Sequence, residues 1–226
     1  MKLFSFLIAL HFLIVPAFGQ NIQTEAEKEA AYTQVITQRA AKIVATLGIA
    51  DSVKANEVRD IIANQYRSLN VIYTERDGKK KDVKASATDS KEALEAKLKG
   101  IEEETTAKLD KLHKEYLKQL SKKLTAEKVV KVKDGMTYGV LPITYKAYQD
   151  MLPDLTEQQK AQIMAWLVEA REHAMDAESS EKKHAWFGKY KGRINNYLSA
   201  AGIDMKKAGE DWQKRRNAAT TATSIK

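Results

Sequence analysis

The chain has 226 residues, no cysteine and a formal net charge of +8. The absence of cysteine excludes disulfides, thiol catalysis and thiolate metal sites, so stability has to come from packing. A chain of this length can bury a sizeable core, and one domain is expected. The positive excess is modest and spread along the chain, which argues against a nucleic-acid partner and allows anionic partners such as acidic glycans.

The first 19 residues have the pattern of a signal peptide. A short basic start, Met1-Lys2, precedes an apolar run at 3–15, and residues 16–19 end in a small-residue cleavage pattern. The apolar run is shorter than the roughly 20 residues that span a bilayer. We therefore predict cleavage before Gln20 and export to the periplasm or the cell exterior, with no membrane span left in the mature chain.

The rest of the chain has the periodicity of helices, because apolar residues recur at spacings of three and four between few prolines and glycines. Thr24 opens a first helix with a capping box, and Asp51 caps a second helix that is expected to end at Asp77-Gly78. The fold class predicted is all-α: a multi-helix bundle in a single domain. The domain covers 20–217 and is followed by a frayed tail at 218–226.

A long helix is predicted from about Ser90 to Lys122, after a polar, basic stretch at 79–89 that lacks periodicity and reads as a mobile loop or short linker. The apolar positions of the long helix, from Leu94 to Leu120, form one narrow seam. Such a seam suits a helical hairpin with its neighbour, or a coiled-coil contact with a protein partner. Shorter helices are expected to follow, one capped by Thr125, one with a capping box at Thr156, and one that starts at Ser180.

The segment 184–197 offers the first candidate site. At helical spacing, Trp186, Lys189, Arg193 and Asn196 share a stripe beside Tyr190. Trp186 and Tyr190 could stack on a sugar ring, the two cations could pair with carboxylates, and Asn196 could bond hydroxyls. The alternative is that Trp186 completes the edge of the core while the cations are merely solvated.

Two further candidates lie elsewhere. On the preceding predicted helix, which also carries Glu172, the side chains of Trp166, Glu169 and His173 fall close to one face, and a Glu and a His four residues apart could share a proton or a metal ion. Tyr138 is displayed by a loop with two glycines, at 135–140, which could form the rim of a pocket. The sequence contains no metal-ligand motif, no phosphate-binding glycine loop and no nucleophile elbow, so we predict no metal, no cofactor and no identifiable catalytic residue.

Three segments, at 131–139, 170–177 and 184–197, resemble a secreted bacterial all-helical family whose function is not established. The resemblance extends over nearly the whole mature chain. It implies an exported helical protein of polysaccharide-degrading bacteria, with sugar binding as the implied activity and a link to gene clusters for plant-glycan use. It supplies no family active site.

Three functions remain open at this point. The leading hypothesis is a non-enzymatic accessory protein that binds an oligosaccharide or polysaccharide, with an acidic plant-type glycan favoured. The second is a helical protein-interaction or chaperone-like module that uses the long helix. The third is a glycan-active enzyme that uses Glu172 with His173 or another acid, although no spacing points to it.

Overall fold

The computed structural model describes residues 24–85 and 90–224, with side chains described through residue 218. The predicted signal peptide, its cleavage site and the last part of the predicted linker, 86–89, lie outside the described residues. Within the described residues every regular element is a helix, which confirms the all-α fold class. In this part of the chain the eight helices are α1 (Glu25–Ala45), α2 (Ser52–Ala85), α3 (Lys91–Lys123), α4 (Ala126–Met136), α5 (Val140–Met151), α6 (Glu157–Met175), α7 (Ser180–Ala200) and α8 (Met205–Ser224).

The helix starts follow the capping residues of the sequence. The Thr24 and Thr156 side chains each accept a hydrogen bond from the third residue of their helix, and that residue returns a bond to the cap backbone, so both form capping boxes. Ser90 and Thr125 cap α3 and α4 through their hydroxyl oxygens. Asp51 accepts hydrogen bonds from the first-turn amides of α2 at 2.8 and 3.2 Å. Helix α7 starts at Ser180, as predicted, and its cap is the preceding residue, Ser179.

The second helix is longer than predicted. The expectation that it ends at Asp77-Gly78, with a loop from residue 79, is wrong for residues 79–85, which continue α2. The basic run pairs with acidic residues of α3: Lys79 Nζ lies 2.7 Å from Glu104 Oε1, and Lys80 forms an ion pair with Glu102. These partners lie 22 and 25 residues away, so no local sequence signal shows them.

Helices α2 and α3 form the predicted helical hairpin. Thr105, Tyr116 and Leu120 on the α3 seam are buried, and α2 is the helix against which α3 packs most extensively. The surface that was expected to serve a coiled-coil partner is therefore largely covered by α2 of the same chain. No helix in the part of the chain that the structure describes is both long and apolar enough to cross a membrane.

The hydrophobic interior has two parts. The first joins α1, the first half of α2, the end of α3 and α4, and the second joins α5, α6 and α7. The end of α6 connects them, because Met175 is fully buried in the first part while Ala174 is fully buried in the second. The α6–α7 turn, at 176–179, follows directly after this junction and borders the candidate site.

Candidate binding cleft

A cleft of about 460 Å³ lies between α1, α2 and the turns that join α4 to α5 and α6 to α7. Buried apolar side chains of α1 and α2, including Ile36 and Leu69, form its base. Polar and aromatic groups form its walls: Tyr32, Arg39, Lys42, Tyr66, Asn70, Tyr73, Tyr138, Glu178, Ser179, Ser180 and Lys183. We call this feature the tyrosine cleft, after Tyr32, Tyr66, Tyr73 and Tyr138.

The α4–α5 turn places Tyr138 at the cleft. Gly135 lets α4 approach α1 closely, because a Cβ atom at that position would lie 3.0 Å from two carbons of Ile43. Tyr138 then adopts a left-handed backbone conformation with φ of 58°, and Gly139 follows with φ of 66°. The Tyr138 ring stacks on His184 of α7 with 5.6 Å between ring centroids and remains about half exposed. The predicted pocket-rim residue therefore lines a cavity.

Hydrogen bonds from α2 hold the α6–α7 turn in place. The Tyr73 hydroxyl donates to the backbone oxygen of Asp176 at 2.6 Å, and Gln65 Nε2 donates to the Asp176 carboxylate at 3.4 Å. Arg76 forms an ion pair with Glu178. These contacts fix one wall of the tyrosine cleft to α2, and they leave Glu178, the acidic side chain among the cleft walls, already neutralised by a cation.

A charged network lies behind this turn. His113 Nδ1 of α3 is 2.7 Å from Asp176 Oδ2, and its Nε2 is 3.4 Å from Glu172 Oε2. Lys133 of α4 donates to the same Glu172 oxygen at 2.7 Å. The hydrogen bonds to Asp176 and Glu172 raise the pKa of His113 from 6.5 to about 9.

Glu172 is a strong acid in this environment. Burial alone would raise its pKa, but hydrogen bonds from His113 and Lys133 outweigh burial and lower the pKa from 4.5 to about 2. A carboxyl group with so low a pKa stays ionised near neutral pH and has no proton to give as a general acid. Its role in this arrangement is to join α3, α4 and α6.

Unlike the charges of the His113 network, the cations of the cleft are not paired with carboxylates in the part of the chain that the structure describes. Within the described residues no carboxylate lies at ion-pair distance from Arg39, Lys42 or Lys183. Arg39 and Lys42 are exposed on α1, whereas Lys183 is buried and its Nζ donates to the backbone oxygens of Ala174 and Met175 at 2.9 and 2.8 Å. Burial lowers the pKa of Lys183 from 10.5 to about 8, and the nearby Arg39 charge lowers it further while Asp176 opposes the change.

The other predicted residues form a separate surface on α6 and α7. His173 stacks on Trp186 with 4.3 Å between centroids, and Lys189 Nζ lies 5.0 Å from the Trp186 ring centre. Arg193 covers Trp166 at 4.6 Å. We call Trp166, His173, Trp186, Lys189 and Arg193 the aromatic strip. Side chains of the same protein lie against both indole rings, which remain partly exposed.

The remaining sequence candidates are divided among different environments. Tyr190 is buried in the second part of the core, and Asn196 is exposed on α7. Glu172 and His173 are neighbours in sequence but are not brought together, because Glu172 contacts Lys133 while His173 contacts Trp186. No group of three described His, Asp or Glu side chains could hold a metal ion.

Sequence reasoning missed most of the tyrosine cleft. Arg39, Tyr66, Tyr73 and Lys183 come from three helices, and each looks locally like an ordinary member of an amphipathic helix. One weak signal was present. Tyr66 and Tyr73 are seven residues apart and therefore share a face of α2, and that face is bordered by polar Asn70 rather than by a purely apolar stripe.

Comparison with known proteins gives a family and no activity. The model of a family described as "Protein of unknown function (DUF3826)" matches residues 33–218. That range includes all of the residues that line the tyrosine cleft except Tyr32. No curated protein matches the chain.

Proposed function

Since the chain belongs to the DUF3826 family of proteins of unknown function, we propose from its own geometry that it is an exported, non-enzymatic protein that binds an acidic carbohydrate in the tyrosine cleft. The signal-peptide pattern of the first 19 residues supports export. The observation that carries the binding proposal is the combination, in one cavity, of four tyrosines with cations that have no acidic partner.

The tyrosines supply what a sugar ring needs. The C–H faces of a sugar pack against aromatic rings, and phenol hydroxyls can exchange hydrogen bonds with sugar hydroxyls. Asn70, Ser179 and Ser180 add further donors and acceptors along the walls. The cavity of about 460 Å³ falls within the usual range for small-molecule sites, roughly 300 to 1,000 Å³, and so suits a short oligosaccharide better than a protein surface.

The charges favour an acidic ligand. Arg39, Lys42 and Lys183 line the cleft, whereas the carboxylate of Glu178 is paired with Arg76. A uronic-acid carboxylate could accept hydrogen bonds from the Arg39 guanidinium in a bidentate arrangement. A neutral sugar would leave these cations without a partner.

The aromatic strip is the second place where a glycan could bind, as the sequence suggested through Trp186, Lys189 and Arg193. A ligand there would have to displace His173 or Lys189 from the Trp186 face, and Arg193 from Trp166. In the tyrosine cleft His184 stacks on Tyr138 and Arg76 lies over the Tyr73 ring, but the cavity of about 460 Å³ is open without moving either side chain. We therefore place the ligand in the cleft and use the strip as the comparison in the experiment.

The test is a thermal-shift screen of the mature protein, from Gln20, against neutral and acidic plant oligosaccharides. We expect acidic oligosaccharides to raise the melting temperature saturably, with a stabilisation of about 2.7 kcal/mol at a hundredfold excess over the dissociation constant. Arg39→Ala should weaken binding at least about tenfold, while the control Arg59→Ala, which removes an arginine of α2 outside the cleft, should not.

Other outcomes would redirect the proposal. Loss of binding in Trp186→Ala with full retention in Arg39→Ala would move the site to the aromatic strip. Absence of any shift with every glycan would reject carbohydrate binding and favour the protein-interaction hypothesis. Turnover of a glycan by the purified protein would show that it is an enzyme.

A further inference from the structure

One corner of the tyrosine cleft brings together two cations and a helix N-terminus. Ser179, Ser180 and Lys183 line the cleft from the first turn of α7, and Arg39 faces them from α1. Amides of the first helical turn carry partial positive charge and lack intrahelical partners. Arg39, Lys183, Tyr32 and Tyr66 all line the same cavity, and the Arg39 charge lowers the pKa of Lys183.

The Lys183 ammonium is an unusual buried charge. Its hydrogen bonds go to two backbone carbonyl groups at the end of α6 and not to a carboxylate. The two carbonyl groups satisfy two of its three N–H donors but do not cancel its charge, and a buried cation without an anion is costly. An anion in the cleft would supply the missing partner.

The titratable groups around Lys183 divide into acids held by other partners and cations. Asp176 on the α6–α7 turn is bound by His113 of α3, and Glu178 is bound by Arg76 of α2. Arg39 and Lys42 face the cleft from α1. Tyr66 and Tyr73 are neutral near pH 7, because burial raises the pKa of each to about 12. The free charge at the corner is therefore positive.

We propose that the anionic group of the ligand binds between Arg39 and Lys183 at the start of α7, and that tight binding requires Lys183 to carry its proton. This inference rests on the proposed function, since it places the acidic group of the carbohydrate within the same cleft. A bound anion stabilises the ammonium form, so binding takes up a proton where the free protein has lost one. Affinity should then fall as the pH rises through about 8, the pKa that burial gives Lys183 in the free protein.

The experiment uses inorganic sulfate as the probe, because sulfate keeps its charge across the pH range of interest. Sulfate binding to the mature protein is measured by calorimetry at about pH 6.5 and about pH 9.5, at constant ionic strength. We expect the affinity to fall at least about fivefold at the higher pH, the lower end of typical coupling between two sites.

Three variants separate Lys183 from the two histidines nearby, which are His113 behind the α6–α7 turn and His184, which stacks on Tyr138. Lys183→Arg keeps the charge at both pH values, so sulfate binding should persist and lose its pH dependence. Lys183→Met should bind weakly at both. Arg39→Ala alters only an exposed side chain, so its folding is not at risk. It should weaken binding and move the midpoint of the pH dependence upward, because Arg39 lowers the pKa of Lys183.

The inference is overturned if sulfate fails to bind, if its affinity is equal at the two pH values, or if Lys183→Arg keeps the full pH dependence. An acidic oligosaccharide, tested in parallel, distinguishes this failure from that of the proposed function. Sulfate binding without glycan binding would support the anion site between Arg39 and Lys183 and reject carbohydrate binding. Glycan binding that is independent of pH would support carbohydrate binding and reject the role of Lys183.

Discussion

Tyr138 combines a strained backbone with an exposed ring at the edge of the cleft. Among the residues that the structure describes, Tyr138 is the one non-glycine residue whose φ is positive. The left-handed conformation costs a residue with a Cβ atom roughly 1 to 2 kcal/mol. A strained residue persists when the surrounding structure holds it, and such residues concentrate at binding sites. The strain therefore agrees with a binding role for the Tyr138 ring.

The strain itself can be measured by comparing two variants that both lack the ring. Tyr138→Gly should be more stable to urea than Tyr138→Ala by about 1 kcal/mol, because only glycine adopts positive φ without steric cost. Both variants lose the stack on His184, so that contact cancels in the comparison. Equal stability would mean that the turn does not hold a left-handed residue at this position in solution.

At the scale of single helices, glycines in open and crowded positions should respond in opposite ways to the same substitution. A Cβ atom at Gly78, within α2, would meet no other atom within 4 Å, whereas one at Gly135 would meet Ile43 at 3.0 Å. Gly78→Ala should raise the free energy of unfolding by about 0.5 to 1 kcal/mol through helix propensity. Gly135→Ala should lower it by about 1 kcal/mol through overpacking.

Both values come from urea denaturation followed by circular dichroism. Gly188→Ala in α7, another open position, serves as a second reference for the propensity gain. A stabilising Gly135→Ala would show that α4 can move away from α1, and in that case the binding affinity of the variant should be examined, because the same approach sets the position of Tyr138.

Local sequence signals account for helix starts better than for helix ends. A cap is a contact between residues three apart, so Thr24, Ser90, Thr125 and Thr156 could be recognised from their neighbours alone. The continuation of α2 past Gly78 could not, because it depends on ion pairs between residues 79–80 and α3. The polar residues from 79 onward, which suggested a loop, form instead a charged face of the helical hairpin.

At the scale of the whole molecule, site residues that are close in sequence could be predicted, whereas those brought together from distant parts of the chain could not. The aromatic strip was partly visible because most of its members lie within one stretch of α7. The tyrosine cleft was not, because Arg39, Tyr73 and Lys183 meet only when the two parts of the core are joined through α6. Tyr138 was identified only because the neighbouring glycines mark its loop.

The His113 network joins those two parts, and its stability should depend on pH in a defined direction. The folded-state pKa of His113 is raised to about 9 from 6.5. Its contribution to the free energy of unfolding is therefore complete below about pH 6.5 and is lost as the pH rises through 9. The folded-state pKa of Glu172 is lowered to about 2 from 4.5. Its contribution is therefore present above about pH 4.5 and is lost as the pH falls through 2. Both are complete between about pH 4.5 and 6.5.

We therefore expect the free energy of unfolding in urea to fall by about 1.5 kcal/mol between pH 6.5 and 8, the value that linkage gives for a histidine whose pKa is 6.5 in the unfolded chain and about 9 in the folded one. The range stops at pH 8 because Lys183 acts in the opposite direction above it: its folded-state pKa of about 8 lies below 10.5, so its deprotonation favours the folded state. His113→Gln should be less stable than the wild type at pH 6.5 and should not show the fall. A His113→Gln variant with the same slope as the wild type would place the titrating group elsewhere, and the ionic junction behind the cleft would then not be what holds the two parts of the core together.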